Sequence, residues 1–284
     1  CTSLTTVEIP NTVSDIGRNA FYGCTALQDI TIPGNVISIG QSAFEGCENL
    51  SSVELIRGIT SIGAAAFRDC AQLTDIRIVS TITEIGDNAF SGCTQINYTV
   101  EPESSSYLTD AQGVLYDSKM QTLLAVPAVM TGEYVVPDTV TVITPGVFQN
   151  SLVSKVTLPE AITEIGEEMF ANTPNLTEVE MLGNITYIGK SAFAGSAIQK
   201  ITIGKYVTKI DESAFDGCTN LQEVTFEKGG NSGLQIIRYA FRGCTSLKSI
   251  ELPRRVRNVE TYNSYGNISS VTAGVGESCF EGCT

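Results

Sequence analysis

Apolar positions along this chain follow one frame that recurs about every 23 residues, C-x-x-L-x-x-V/I-x-I-x-x-x-V/I-x-x-I-G-x-x-A-F-x-G. In the first copy, Val7 and Ile9 alternate with polar residues, and this period of two is typical of a strand with one buried face. Residues 13–17 add a second apolar step that ends at a glycine, and the segment 18–21 predicts one helical turn that buries Phe21. Each copy therefore predicts a strand, a return segment and a short helical turn.

The copies are too short to fold alone. Their first residues lie 23 positions apart, at Cys1, Cys24, Cys47, Cys70 and Cys93. A unit of this size cannot bury its own apolar face, so the copies must stack as the coils of a solenoid. Strands of neighbouring coils would lie parallel, about 4.8 Å apart, and about ten coils would form a rod or arc roughly 50 Å long. Stacked coils present extended surfaces, which favours a binding or scaffold protein.

Two longer segments interrupt the repeats. Between about residues 97 and 131, the apolar runs G-V-L-Y and T-L-L-A-V flank residues 117–120, which predicts an inserted β-hairpin. The repeats cover 1–96 and resume over 132–284, where a polar loop at about 254–270 lengthens the last coil. We predict a single domain over 1–284. Because the first repeat is regular rather than a polar cap, we expect the chain to come from a longer array.

These motifs resemble the BspA-like leucine-rich repeat family, through the L-x-x-V-x-I-P strand, the V-x-x-I-G step, the A-F-x-G-C-T junction and the element from Tyr107 to Pro127. The resemblance implies an α/β fold, a right-handed solenoid in a horseshoe or arc. It would have about ten coils of 22–26 residues, short helical turns, the inserted hairpin and a parallel sheet on the concave face. Members of this family are often secreted or cell-surface proteins, and some are adhesins for matrix proteins or cells. The chain departs from the family pattern where Ser151, Thr173 and Ser196 replace cysteine, and where Thr144, Asp211 and Ile237 replace glycine.

Composition narrows the class of partner. The 284 residues are 42% hydrophobic and 17% charged, which suits a folded core. The formal net charge of −14 argues against nucleic acid, which requires clustered lysine and arginine. No apolar run reaches the roughly 18 residues that a membrane span needs, so we expect no membrane insertion.

The sequence lacks the residue patterns that usually carry catalysis or bind metals. The chain has no histidine, and its nine cysteines lack the C-x-x-C spacing of metal knuckles. We expect buried, free thiols that fill the core, although a bridge between Cys279 and Cys283 stays open. No D-x-D-x-D-G calcium loop is present, and paired carboxylates such as Glu101 and Glu103 are interpreted as a solvated acidic face. We therefore predict no cofactor, no metal and no enzyme activity.

Two kinds of position are candidates for ligand contact. Outward strand positions vary between coils while inward positions are set by packing, which selects Glu8, Thr31, Glu54, Arg77 and Glu180. The insertions add arginine and tyrosine, which are favoured at interfaces, at Tyr107, Tyr116, Arg254, Arg255, Arg257, Tyr262 and Tyr265. The outward rows hold mainly Thr, Ser, Glu, Asp and Lys, which fits weak multivalent recognition or a merely solvated strip.

These features predict a secreted or cell-surface leucine-rich repeat protein that binds an extracellular protein or glycan, of host matrix or of other cells. The alternative is a structural spacer that presents another domain. An enzyme that uses a carboxylate pair is the third and weakest hypothesis.

Overall fold

The structure is a computed structural model, and it describes residues 1–229, 233–252, 259–262, 268–272 and 275–283. The chain divides into two compact units. Unit 1 consists of Cys1–Met130 and Thr139–Ser151, and unit 2 consists of Thr131–Asp138 and Leu152–Thr284.

The described secondary structure consists of strands and turns. In chain order the strands are β1 (Asp15–Ile16), β2 (Asp29–Ile32), β3 (Ser38–Ile39), β4 (Ser52–Leu55), β5 (Ser61–Ile62), β6 (Asp75–Ile78), β7 (Glu84–Ile85), β8 (Asn97–Val100), β9 (Tyr107–Thr109), β10 (Leu115–Asp117), β11 (Thr122–Ala125), β12 (Thr131–Val135), β13 (Val142–Ile143), β14 (Leu152–Leu158), β15 (Glu164–Ile165), β16 (Glu178–Met181), β17 (Tyr187–Ile188), β18 (Lys200–Ile203), β19 (Lys209–Ile210), β20 (Glu223–Phe226), β21 (Gln235–Ile236), β22 (Val259–Tyr262) and β23 (Ile268–Thr272).

Unit 1 is a stack of coils that each contribute one longer and one two-residue strand. The longer strands form a parallel sheet in the order β2-β4-β6-β8, and the two-residue strands form a second parallel sheet in the order β1-β3-β5-β7. Exposure alternates along β2, where Ile30 and Ile32 are buried and Asp29 and Thr31 are exposed. The parallel-strand solenoid predicted from the repeat is therefore confirmed.

Unit 2 has the same coil plan. Its longer strands form two sheets, β12-β14-β16 and β18-β20, while its two-residue strands form one sheet, β15-β17-β19-β21. The antiparallel pair β22 and β23 lies within the predicted 254–270 loop and extends just past it, and most of that loop is outside the described residues.

The predicted insertion contains three antiparallel strands. In unit 1, β9 pairs with β10 and β10 pairs with β11, both antiparallel, and β11 then pairs in parallel with β13. Leu115 on β10 and Ala125 on β11 join the hydrophobic core of the preceding coils. The insertion thus returns the chain to the two-residue strand of the next repeat.

The predicted helical turns are wrong, and with them the α/β class, because the described residues contain no helix. In the turn from Gly40 to Cys47, amides alternate between two kinds of partner. Those that bond to the carbonyl three residues earlier belong to Ala43, Glu45 and Cys47. Those that bond to carbonyls of the next coil belong to Ser42, Phe44 and Gly46.

Backbone geometry gives the reason why no helix forms. Ser42 and Gly46 have positive φ values of 54° and 71°, a conformation that interrupts an α-helix after one or two residues. The same non-glycine position is left-handed in other coils, at Asn19, Ala65, Asn88, Ser191, Ser213 and Tyr239. The turn segment therefore extends the ladder between coils instead of forming its own i→i−4 bonds.

The phenylalanine row forms the core, as predicted. In unit 1 the rings of Phe44 and Phe67 are fully buried and stack with centroids 5.2 Å apart and planes 2° from parallel. In unit 2, Phe215 and Phe241 stack at 5.0 Å in the same way. Offset stacking of this kind adds to the free energy gained from burial of each ring.

All nine cysteines are free thiols, and seven are buried as predicted, whereas Cys1 is exposed and Cys283 is partly buried. Several of the buried thiols share one contact. Cys70 Sγ lies 3.2 Å from the carbonyl oxygen of Phe44 in the preceding coil, and Cys218 Sγ lies 3.0 Å from that of Phe193. Thr173 takes a cysteine position, and its hydroxyl donates to the Phe170 carbonyl at 2.8 Å. The position therefore requires a small buried side chain, and the substitutes there either donate, as the Thr173 hydroxyl does, or are buried without a partner among the described residues, as the Ser151 hydroxyl is.

Ala65→Gly is expected to raise the free energy of unfolding by about 0.5–1 kcal/mol, because alanine at φ 54° carries a steric penalty that glycine lacks. The matched control is Ala66→Gly, which removes a fully buried methyl group and should lower it by about 1 kcal/mol or more. Urea denaturation followed by circular dichroism measures both. Equal destabilisation by the two variants would contradict the left-handed turn.

Candidate functional site

The outward side chains of the longer strands form an exposed polar face in each unit. The predicted contact positions on this face are all exposed, namely Glu8, Thr31, Glu54 and Arg77 in unit 1 and Glu180 in unit 2. Several are held by partners on neighbouring strands, since Thr31 Oγ1 donates to Glu54 Oε2 at 3.1 Å and Lys155 Nζ lies 3.4 Å from Glu180 Oε2. Their exposure matches the sequence pattern, and ligand contact stays a prediction.

Arg77 belongs to a charge cluster just after β8. The carboxylate of Glu101, whose side chain is 3% exposed, lies 2.8 Å from Arg57 Nε and 2.9 Å from Arg77 Nη2. Its Oε2 also accepts the amide of Ser80 at 2.7 Å. The interpretation of Glu101 as a solvated carboxylate is therefore wrong, because the chain returns this side chain to the edge of the sheet, between two arginines.

This environment favours the charged form of Glu101. The hydrogen bond from the Ser80 amide has the largest effect, and with the Arg57 guanidinium it outweighs burial and lowers the pKa of Glu101 to about 2. Glu103, whose side chain is 64% exposed, adds a 3.0 Å contact to Arg57 Nη2. The cluster therefore joins the start of the insertion to the preceding coils.

The structure corrects the prediction for the two tyrosines of the insertion. Tyr116 is fully buried and Tyr107 is 8% exposed, so their rings lie in the core of unit 1 rather than at a ligand surface. Tyrosine is favoured both in cores and at interfaces, and only the packing of β9 and β10 against the coils distinguishes the two.

The other predicted contacts lie outside the described residues. These are Arg254, Arg255, Arg257 and Tyr265, together with the side chain of Tyr262, whose backbone belongs to β22. Their role in binding stays a prediction.

Unit 2 contains a feature that the sequence analysis missed, a break in the long-strand ladder between β16 and β18. In regular coils the amide just past a strand donates to the last strand carbonyl of the preceding coil, as from Glu227 to Ile203 at 2.9 Å. The equivalent bond from Gly204 to Met181 is not formed, and β16 and β18 belong to separate sheets. The sheet is therefore open at this point.

A change in coil length explains the break. Thr173-Pro-Asn-Leu176 starts the coil of β16, whereas Ser196-Ala-Ile198 starts the coil of β18 with one residue fewer. The full junction makes a turn in which the Leu176 amide donates to the Thr173 carbonyl, and the shorter junction lacks this turn. The junction at residues 151–153, which starts the coil of β14, is also one residue short. There, a register shift between Gly132 and Glu133 restores pairing of β12 with β14. The 22-residue interval from Phe193 to Phe215 was the signal in the sequence.

The break opens a cleft of about 480 Å³, which we call the β16–β18 cleft. This volume lies within the range of about 300–1,000 Å³ that is usual for ligand pockets. Val179 and the buried Ile201 and Ile203 line the cleft, and the exposed side chains of Leu182 and Tyr206 supply most of its apolar surface. Its charged lining consists of three carboxylates, Glu178, Glu223 and Glu227, and one ammonium group, that of Lys200.

The thiols show no sign of nucleophilic activation. Burial raises the pKa of Cys47 to about 11 and that of Cys93 to about 12, so both are protonated at neutral pH. Cys279 and Cys283 are free and form no bridge. Across the described part of the chain, His, Cys, Asp and Glu side chains form no cluster able to hold a metal ion, and no helix is long and apolar enough to span a membrane.

Comparison with known proteins identifies the repeat. The family model for the BspA type leucine rich repeat region matches in six copies, over residues 1–112, 141–267 and 230–284. A comparison with curated proteins finds no significant match.

Solved structures share the fold. A leucine-rich cell surface protein from Faecalibacterium prausnitzii is 29% identical, with a TM-score of 0.66 over 86% of this chain and 78% of that chain. A leucine-rich repeat protein from Eubacterium ventriosum is 21% identical, with a TM-score of 0.66 over 95% of this chain and 80% of that chain. The pneumococcal vaccine antigen PcpA is 19% identical, with a TM-score of 0.62 over 83% of this chain and 53% of that chain, so the last two support the fold alone.

The pH dependence of stability should report the Glu101 cluster. A carboxyl group whose pKa is lowered on folding stabilises the protein above its unfolded pKa of about 4.5, and this contribution is lost as pH falls towards about 2. Thermal unfolding between about pH 2 and pH 7 should therefore show a smaller loss of stability for Glu101→Gln than for the original protein. Glu103→Gln is the matched control and should keep the original slope. Identical slopes for all three proteins would contradict the cluster.

Hydrogen exchange tests the break in the ladder. The amides of Thr202 and Gly204 should exchange about tenfold or more faster than those of Thr225 and Glu227, which occupy the same positions one coil later and face a paired strand. Exchange followed by NMR or mass spectrometry measures the difference. Equal protection at both pairs of positions would show that the sheet is closed in solution.

Proposed function

Since the chain belongs to the BspA type leucine-rich repeat family, we propose that it acts as a secreted or cell-surface protein whose single repeat domain binds an extracellular protein or glycan. The partner would be a matrix component or a surface molecule of another cell. The relative from Faecalibacterium prausnitzii, described as a cell surface protein, supports this location.

The observation that carries the proposal is the exposed, ordered polar face of the longer strands. In unit 2, Lys155 lies 2.9 Å from Glu178, and Lys200 lies 3.2 Å from Glu223. Thr202 and Thr225 share a hydrogen bond of 2.9 Å. Side chains already held by cross-strand partners lose less conformational entropy when a ligand binds, which favours recognition.

The chemistry of the described residues supports binding over catalysis. The chain lacks histidine, and burial keeps thiols such as Cys93 protonated. The carboxylate of Glu101 is held between arginines and its pKa is low, so it is a poor general acid. The charges on the polar face instead suit complementary pairing with a partner.

Surface plasmon resonance with the immobilised full chain, against a panel of matrix proteins and glycans, tests the proposal. We expect saturable binding to at least one of them, weakened about tenfold by Glu180→Lys on the polar face. The matched control is Glu164→Lys at another exposed glutamate, on β15, which should change affinity by less than about twofold. Absence of any ligand across the panel would favour the spacer hypothesis, and equal effects of the two variants would place binding elsewhere.

A further inference from the structure

We propose that the β16–β18 cleft binds a short extended peptide segment that carries a lysine or arginine, held by main-chain hydrogen bonds to the open strand edges. This inference rests on the proposed function and names the chemistry of the partner. It assigns a peptide site to a point inside unit 2 where regular coils would pair their longer strands.

Main-chain groups give the first reason. In a closed parallel ladder, the amides of Thr202 and Gly204 on one coil would donate to the carbonyls of Val179 and Met181 on the preceding coil. Since β16 and β18 are not paired, these groups face the cleft with the alternation of a strand edge. A peptide chain supplies donors and acceptors at the same alternation, as in other cases of strand addition.

The lining of the cleft gives the second reason. Ile201 and Ile203 are buried beside the cleft, while Leu182 and Tyr206 next to it are 51% and 46% exposed. An extended segment points alternate side chains to opposite faces, so apolar residues would pack on this surface while the others point to solvent. Burial of exposed leucine and tyrosine surface would contribute to affinity.

Charge gives the third reason and selects a basic side chain. Glu178 is paired with Lys155, and Glu223 is paired with Lys200. Within the described residues, Glu227 has no lysine or arginine partner, and its Oε2 accepts only the amide of Lys205, at 3.1 Å. A basic residue of the ligand would complete this pair, and the net charge of −14 would favour its approach.

A variant in which the coil of β18 is restored to the regular length serves as the control. Insertion of one asparagine between Ala197 and Ile198 recreates the length of Thr173–Leu176, and the turn that the regular coils use. The insertion should close the ladder between β16 and β18 and remove the cleft while it leaves the cleft-lining side chains unchanged. Protection of the Thr202 and Gly204 amides from hydrogen exchange would report the closure.

The experiment is selection of a displayed library of random linear heptapeptides on the full chain, with counter-selection on the insertion variant. We expect enriched peptides that alternate apolar residues and contain lysine or arginine. For a synthetic copy of such a peptide, the one-residue insertion should weaken binding about a hundredfold, and N-methylation of alternate peptide amides should weaken it about tenfold.

Glu227→Gln should weaken binding of the peptide about fivefold or more, whereas the matched control Glu164→Gln should not. Because Glu227→Gln and the N-methylated peptide leave the fold of the coil intact, they test the site even where the insertion variant does not fold.

The outcomes separate this inference from the proposed function. Failure to enrich any peptide that depends on the open cleft, or equal binding of the N-methylated peptide, would overturn the peptide site. If the original chain still binds a matrix protein or glycan in the plasmon resonance panel, the proposed function stands without it. A glycan whose binding is lost on insertion would also overturn the peptide site and assign the cleft to a sugar.

Discussion

The hydrogen-bond ladder between coils is the constraint on which the rest of the structure depends. A coil of about 23 residues has two short strands and a turn, and every second amide of that turn bonds to a neighbouring coil. Alone, one coil would leave these amides unpaired and its phenylalanine exposed, and both are unfavourable. Stacking satisfies both requirements in each unit, which is why a short sequence frame, repeated, forms a stable core.

The ladder also explains the residues at its special positions. The left-handed residue before each Ala-Phe pair lets the turn alternate its bonds between its own coil and the next, so glycine is one solution among several, as Ser42 and Ala65 show. The cysteine position places a small donor against a phenylalanine carbonyl, and Thr173 meets the same need within its own coil. The left-handed position therefore does not require glycine, and the cysteine position does not require a reactive or metal-binding thiol.

Irregular coils reveal how much the ladder tolerates. The insertion in unit 1 replaces coil contacts with antiparallel strands, two buried tyrosines and the Glu101 charge cluster. In unit 2, a coil that is one residue short is accommodated by a register shift at β12 and β14, whereas at β16 and β18 the ladder opens. The same one-residue shortening is thus absorbed by a register shift at one junction and accompanied by a cleft of about 480 Å³ at the other.

The sequence alone determined the repeat, the strands, the buried phenylalanine and cysteine rows and the polar outward face, because these follow from the period of apolar positions and from the need to stack. Only the tertiary structure decided three other matters. The turn is not helical, since its amides bond between coils. Tyr116 and Glu101 are buried, since packing against distant residues sets their environment. The ladder opens beside Met181, because pairing depends on two coils of different length meeting in space, which no single repeat contains.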